Sequence, residues 1–329
     1  MGSILQATNG DPVGAVALLG HADPVELERF AALEDAIWEE TSLAPAIVET
    51  VRLHCARIRG CEFCKAVRYT AAIDDGLTET QISQLDVPEA REEFSAEQSA
   101  ALTLVDHFLR DPRKPDESRA QHIAEILGTS GVMEVLVGCC AFASAELRIA
   151  LGENREPQGS GVVERAGCDS VSRSAAVAWP VLDGAVLDPD TRLPGVAPGL
   201  SDPIHERVTA LWSGRDLSPE LVAACVIRST QMLDVAPDDP VYDYLVPPEA
   251  ARLADADDVR NWPKWPAEQG RNEMELAELL WIDPAGVGTR ITDSLESSLG
   301  VDGLIRAAWN LILIGQLHRL ALTLHREPS

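Results

Sequence analysis

Lysine is almost missing from this chain. Of 27 basic residues only Lys65, Lys114 and Lys264 are lysines, and they stand against 53 acidic residues, for a formal net charge of −26. Such a surplus repels polyanions at long range, so neither nucleic acid nor an anionic membrane is an expected partner, and solubility is the simplest role for the charge. Aromatic residues are scarce at 5%, which disfavours sheets built from aromatic and β-branched side chains. No window approaches about 18 apolar residues free of charge. The start, MGSILQATNGDPVG, lacks the basic opening and apolar stretch of a signal peptide, so the expected location is the cytoplasm. Seven cysteines in 329 residues are an odd number in a chain too long to need disulfide staples, which argues against a structural disulfide framework. Cys61 and Cys64 stand apart from that argument.

What is present is helix-forming sequence. Alanine, leucine and glutamate are abundant, and 46% of residues are hydrophobic, enough for one large core or two ordinary ones. Apolar residues recur at helical spacing in VELERFAALEDAIWEE and in PAIVETVRLHCARIR, where Pro45 suits a first turn and Gly60 a stop. A third helix is expected from Cys61 to about Asp75, ended by Gly76, then a short one in TETQISQL. FSAEQSAALTLVDHFLR carries Ser95 three positions before Gln98, a capping box, and ends at a DP pair. ESRAQHIAEIL and GVMEVLVGCCAFASAELRIAL complete the first half. Residues 153–203 lose the helical period and read as a connecting segment laid across a surface, anchored by Val177, Trp179 and Leu182.

Beyond that segment the first half returns. SLAPAIVETVRLHCARI from residue 42 runs against DLSPELVAACVIRSTQM from 216, matching Pro45 to Pro219. FSAEQSAALTLVDHFLRDP from 94 runs against WPAEQGRNEMELAELLWIDP from 265, and LGTSGVMEVLVGCCAFASAELRIAL from 127 against LGVDGLIRAAWNLILIGQLHRLALT from 299. Three blocks in the same order at near-constant offset indicate a duplication. The expected fold is all-α, as two tandem helical domains, 1–152 and 204–329, joined by 153–203. Chemistry is confined to the first copy, because Glu49 aligns with Ala223, Cys61 with Val235 and Cys64 with Asp238. The second copy instead carries an acidic insertion over 234–258 and the sequence NWPKWP, whose Trp262 and Trp265 read as packing residues.

Cys61 and Cys64 sit where a glycine-terminated helix meets the next, and at i and i+3 two sulfurs share a helical face. The pair suits thiol exchange. A zinc site wants four ligands and no second CxxC or HxxxH is present, so no metal or other cofactor is expected. Glu49 lies twelve residues before Cys61, about 18 Å along an unbroken helix. A reversal at Gly60 is expected to bring it toward Arg68, either as part of a site with both thiols or as an ordinary ion pair between helices. His54 and His107 read as structural, and Cys139 and Cys140 as small core residues of an apolar helix.

The stretch ETVRLHCARIRGCEFCKAVRYTAAIDDGLTETQISQL resembles the alkylhydroperoxidase D-like and carboxymuconolactone decarboxylase superfamily. The family pattern is a glutamate, a helix, Gly-Cys-x-x-Cys, a histidine four residues on, then Ala and Gly-Leu-Thr/Ser. The likeness covers about residues 25–152, with a degenerate copy over about 205–325. It implies that Cys64 attacks peroxide, Cys61 resolves the product as a disulfide, and Glu49 serves as relay carboxylate. Arg68 occupies the family histidine position, and arginine cannot exchange protons at neutral pH. The resemblance further implies a small-molecule peroxide or other small substrate, an external dithiol reductant, and a homotrimer in pseudo-hexameric arrangement. Two alternatives stand beside a thiol-disulfide oxidoreductase or peroxidase: a decarboxylase-like enzyme acting on a small carboxylated substrate, and a non-catalytic assembly protein.

Overall fold

The computed structural model describes residues 19–87, 93–113, 115–157, 161–167, 176–215, 217–266 and 270–325. Its helices in chain order are α1 (Pro24–Glu39), α2 (Pro45–Arg59), α3 (Glu62–Ala66), α4 (Thr70–Asp74), α5 (Glu79–Ser83), α6 (Ala96–Arg110), α7 (Glu117–Ala141) and α8 (Ser144–Ala150). After the connecting segment come α9 (Pro198–Leu211), α10 (Pro219–Met232), α11 (Tyr242–Leu245), α12 (Pro248–Leu253), α13 (Ala256–Arg260), α14 (Arg271–Ile282) and α15 (Thr289–Leu324). Strand structure among the described residues is limited to β1 (Arg68–Tyr69) and β2 (Val162–Val163), paired in parallel. The fold is all-α.

Helix boundaries follow the local chemistry of the sequence. Pro45 and Pro219 each occupy a first turn, where their missing N–H is no loss. Ser95 and Gln98 form the expected capping box on α6. Residues aligned between the two halves of the sequence adopt similar backbone conformations. α7 and α15 each bend at a left-handed glycine, Gly128 (φ 71°, ψ 166°) and Gly300 (φ 72°, ψ 171°), which are the aligned glycines of the two LG pairs. α6 and α14 both end on the aspartate of a DP pair, Asp111 (φ −144°, ψ 83°) and Asp283 (φ −154°, ψ 86°).

One apolar cluster runs from Leu19 to Leu324 and draws on both copies, with α9 packed along α1 and α15 against α7 and α8. Leu182, Val186 and Leu187 of the connecting segment enter the same cluster. Trp179 packs against it and donates its indole N–H to the Thr323 carbonyl at 3.1 Å. Val177 does not act as an anchor; it is 50% exposed. α9 also begins at Pro198, inside the stretch expected to be non-helical. Two segments, Glu117–Ala150 and Thr289–Leu324, are long and apolar enough to cross a membrane, yet 83% and 61% of their apolar windows are buried within the protein. Their apolar residues are spent on the core.

The helix expected from Cys61 to Asp75 is broken into α3, β1 and α4. Val67 is extended (φ −78°, ψ 142°), and the Arg68 N–H bonds the Gly161 carbonyl at 2.8 Å instead of continuing the turn. The Arg52 guanidinium donates to the Cys64 and Val67 carbonyls at 2.9 and 2.7 Å, and the Cys64 carbonyl is the one a continuing helix would have offered to the Arg68 N–H.

His318 of α15 is fully buried, with Nε2 against the Leu245 carbonyl at 3.0 Å and Nδ1 without a partner. Burial pushes its pKa down to about 4 from the ordinary 6.5. The unfolded chain therefore binds a proton that the native chain refuses between those values. Stability is full above pH 6.5 and falls as the pH drops toward 4, by about 3 kcal/mol from this residue. Urea midpoints at pH 7 and pH 4.5 should differ less in His318→Gln than in the unmodified protein; equal shifts in both would contradict the assignment.

Candidate active site around Cys61 and Cys64

α2 ends at Gly60, whose left-handed φ of 74° reverses the chain. Asn154 fixes the turn from outside, accepting the Glu62 N–H at 2.7 Å and donating to the Gly60 carbonyl at 2.9 Å. Cys61 then becomes the N-cap of α3, its Sγ receiving the Cys64 N–H at 3.2 Å. The two cysteines are joined as a disulfide with Cα atoms 5.3 Å apart, an ordinary separation for such a bond. Cys61 is fully buried among Ala56, Ala145 and Ile149, whereas Cys64 is half-buried at the edge of that cluster. An incoming molecule therefore meets Cys64 first.

Behind the pair lies a buried ion pair. Glu49 and Arg52 are both buried, with exposures of 1% and 6%, and the carboxylate accepts two hydrogen bonds from the guanidinium, each 2.7 Å. The same guanidinium holds the Cys64 and Val67 carbonyls and lies 4.9 Å from the Tyr69 ring centre. Burial alone would lower the Arg52 pKa, but Glu49 outweighs it and holds the group charged. Tyr69 is pushed above its ordinary value, first by burial, with Glu34 and Glu49 adding to it against Arg52. Trp38 packs against Tyr69 with ring centroids 4.9 Å apart.

The expected approach of Glu49 to Arg68 is not what the chain does. Glu49 is taken by Arg52, three residues along its own helix, and Arg68 turns outward to pair with Glu79 at 2.8 and 3.2 Å. Its remaining hydrogen bonds go to the Lys65 and Val67 carbonyls. The cause is the break at Val67: with no helix connecting Cys64 to Arg68, their i, i+4 relation no longer puts them on one face. Arg68 in turn holds the exposed Glu79 carboxyl below its ordinary range. Of the four candidate residues, Cys61 and Cys64 are joined to each other, Glu49 is linked to Cys64 only through Arg52 and the Cys64 backbone carbonyl, and Arg68 pairs with Glu79.

Two cations were not anticipated. Arg52 was legible as an i, i+3 neighbour of Glu49. Arg148 was not: its guanidinium lies 3.8 Å from the Phe63 ring centre, brought there from α8 by tertiary packing, and burial lowers its pKa to about 10. His54 bonds Asp106 at 2.9 Å, as a structural pair between α2 and α6. Among the described residues no cluster of three or more His, Cys, Asp or Glu side chains has the arrangement of a metal site. Cys168 lies outside the described residues.

The second copy has nothing comparable at the aligned positions. Ala223 and Val235 are buried apolar residues. Trp262 and Trp265 are buried as expected, with the Trp262 indole N–H donated to Glu278 at 2.7 Å. Asp255 and Asp258 of the acidic insertion line a cavity of about 340 Å³ together with Leu221, Val259 and Trp265. No family model matches the chain, and neither the curated proteins nor the solved structures give a match.

Removing Arg52 leaves a buried carboxylate unpaired and strips a donor from the Cys64 and Val67 carbonyls, of which the second keeps Arg68. Arg52→Met should lose about 3–5 kcal/mol of stability, and adding Glu49→Gln should restore part of it, measured by urea unfolding. A loss under about 1 kcal/mol in the single variant would mean that the pair is not the buried anchor described.

Proposed function

We propose that this chain is a thiol-disulfide oxidoreductase of the alkylhydroperoxidase D-like kind, working in the cytoplasm, with Cys64 and Cys61 as its redox pair. The observation that carries the proposal is the disulfide itself, with one buried sulfur and one half-buried sulfur at a clamped turn. In the reduced state the Cys64 thiolate attacks the sulfur of a disulfide or the oxygen of a hydroperoxide. With a hydroperoxide the O–O bond breaks, an alcohol leaves, and Cys64 becomes a sulfenic acid. The Cys61 thiol then displaces the hydroxyl as water and closes the bridge. An external dithiol restores both thiols by two successive exchanges and leaves as a disulfide.

Glu49 acts here as a positioning residue, since both its oxygens are engaged by Arg52. Neither Arg52 nor Arg68 can pass a proton at neutral pH, which favours exchange with thiols and disulfides over rapid peroxide turnover. The resemblance extends the proposal to a homotrimer in which the second copy completes a six-domain ring.

Reduced protein treated with one equivalent of tert-butyl hydroperoxide should lose two thiols and gain the mass signature of a bridge between Cys61 and Cys64. Cys64→Ser should lose this reaction by at least tenfold in rate, while Cys61→Ser should stop at a sulfenic acid trapped by dimedone. Unchanged oxidation in Cys64→Ser would remove Cys64 from the attacking role.

A further inference from the structure

A second pair of sulfurs, which the proposed cycle does not use, lies between α2 and α7. Cys55 of α2 and Cys139 of α7 are both fully buried, and their Sγ atoms are 3.7 Å apart. That is van der Waals contact between two sulfurs from helices separated by 84 positions in sequence, about 1.7 Å longer than a disulfide bond.

The cation beside them belongs to Arg59. Its Nη2 bonds the Cys139 carbonyl at 3.1 Å and the Gln316 side chain at 3.0 Å, and its Nε bonds Glu146 at 2.9 Å. Nη1 is buried and has no hydrogen-bond partner. Burial opposes ionisation of Cys55, but the hydrogen bond with Cys139 and the charge of Arg59 outweigh it and lower the Cys55 pKa. Cys139 is pushed well up, by burial first and then by Cys55 itself. A guanidinium beside two touching sulfurs favours one thiolate within the pair, and a thiolate is the form that attacks an oxidant.

We infer that Cys55 and Cys139 form a second, buried redox site, a dithiol that small oxidants convert to a disulfide stapling α2 to α7. With hydrogen peroxide the Cys55 thiolate attacks one oxygen, the O–O bond breaks, and hydroxide leaves as water with the proton that Cys55 had released. The Cys139 thiol then attacks the Cys55 sulfenic sulfur. The S–O bond breaks, and the hydroxyl leaves as water with the Cys139 proton. Two thiols are oxidised and one peroxide becomes two waters. Peroxide is close to water in size, so it reaches the pair through local opening of the helices, where a bulky disulfide substrate does not. The site therefore answers to small oxidants and is independent of the Cys61–Cys64 cycle. Its position matters, because Arg59 ties the Cys139 carbonyl to Glu146 and to Gln316 of α15, the helix that joins the second copy to the first.

The test uses the full chain carrying Cys61→Ser and Cys64→Ser, so that failure of the surface couple does not affect the result. Folded protein is exposed to excess hydrogen peroxide, remaining thiols are blocked, and non-reduced peptides are mapped by mass. The expected result is loss of a thiol pair and a cross-linked species joining the Cys55 and Cys139 peptides, reversed by dithiothreitol and absent from the same protein with Cys139→Ala. Should Cys139→Ala disturb folding, the unmodified chain serves, with both bridges expected in one molecule. Retention of both thiols after prolonged exposure, or bridging of Cys55 to Cys140, would overturn the inference.

Discussion

A buried guanidinium that satisfies itself with backbone carbonyls shapes everything near the candidate site. Arg52 makes four hydrogen bonds at 2.7–2.9 Å, two to Glu49 and one each to Cys64 and Val67. A charge taken out of water is tolerated only when nearly every donor is satisfied. Around that guanidinium α3 stops after five residues, and Arg68 and Tyr69 pair with Val162 and Val163. Cys61 stands at a helix cap, with its sulfur buried and its partner near the surface.

The duplicated pattern has a different physical status in its two halves. Both copies kept the features that make helices bend and stop: the prolines at Pro45 and Pro219, the left-handed glycines at Gly128 and Gly300, and the aspartates at Asp111 and Asp283. Only the first kept buried charge at the site. Where Glu49 stands, the second copy has Ala223, so the space is filled by apolar packing. The two halves also share one core, and some of the polar links between them are buried: Gln316 with Arg59 and Glu146, and Arg207 with Glu26 at 3.3 Å beneath Trp309. Such links are costly to separate, because opening them would strand charges already removed from water.

Much of this was legible in residue order. The starts and stops of α1, α2, α5 and α6 follow from proline, glycine and capping residues, and these are local signals. The CxxC, the glutamate before it and the glycine between them were visible as a group because a turn at Gly60 is itself local. Three things were not. The path of Arg68 depended on whether a helix runs on past Cys64, and that was decided by Arg52 reaching across from α2. Arg148 arrives from nearly ninety residues away in sequence and shows no periodic signature. Val177 looked like an anchor because it is apolar in a polar stretch, but Trp179 and Leu182 took the available core positions.

The central claim is that Cys61 and Cys64 form a reversible two-electron couple with Cys64 as the accessible sulfur. It is tested most directly by equilibrating the protein in glutathione buffers spanning reducing to oxidising ratios, quenching with acid and alkylating. The fraction of each cysteine that is bridged is then read by mass. The account predicts that Cys61 and Cys64 pass together through one transition, with any mixed glutathione disulfide found on Cys64. Transitions at separate ratios, glutathione attached to Cys61, or a pair insensitive to every ratio would contradict it.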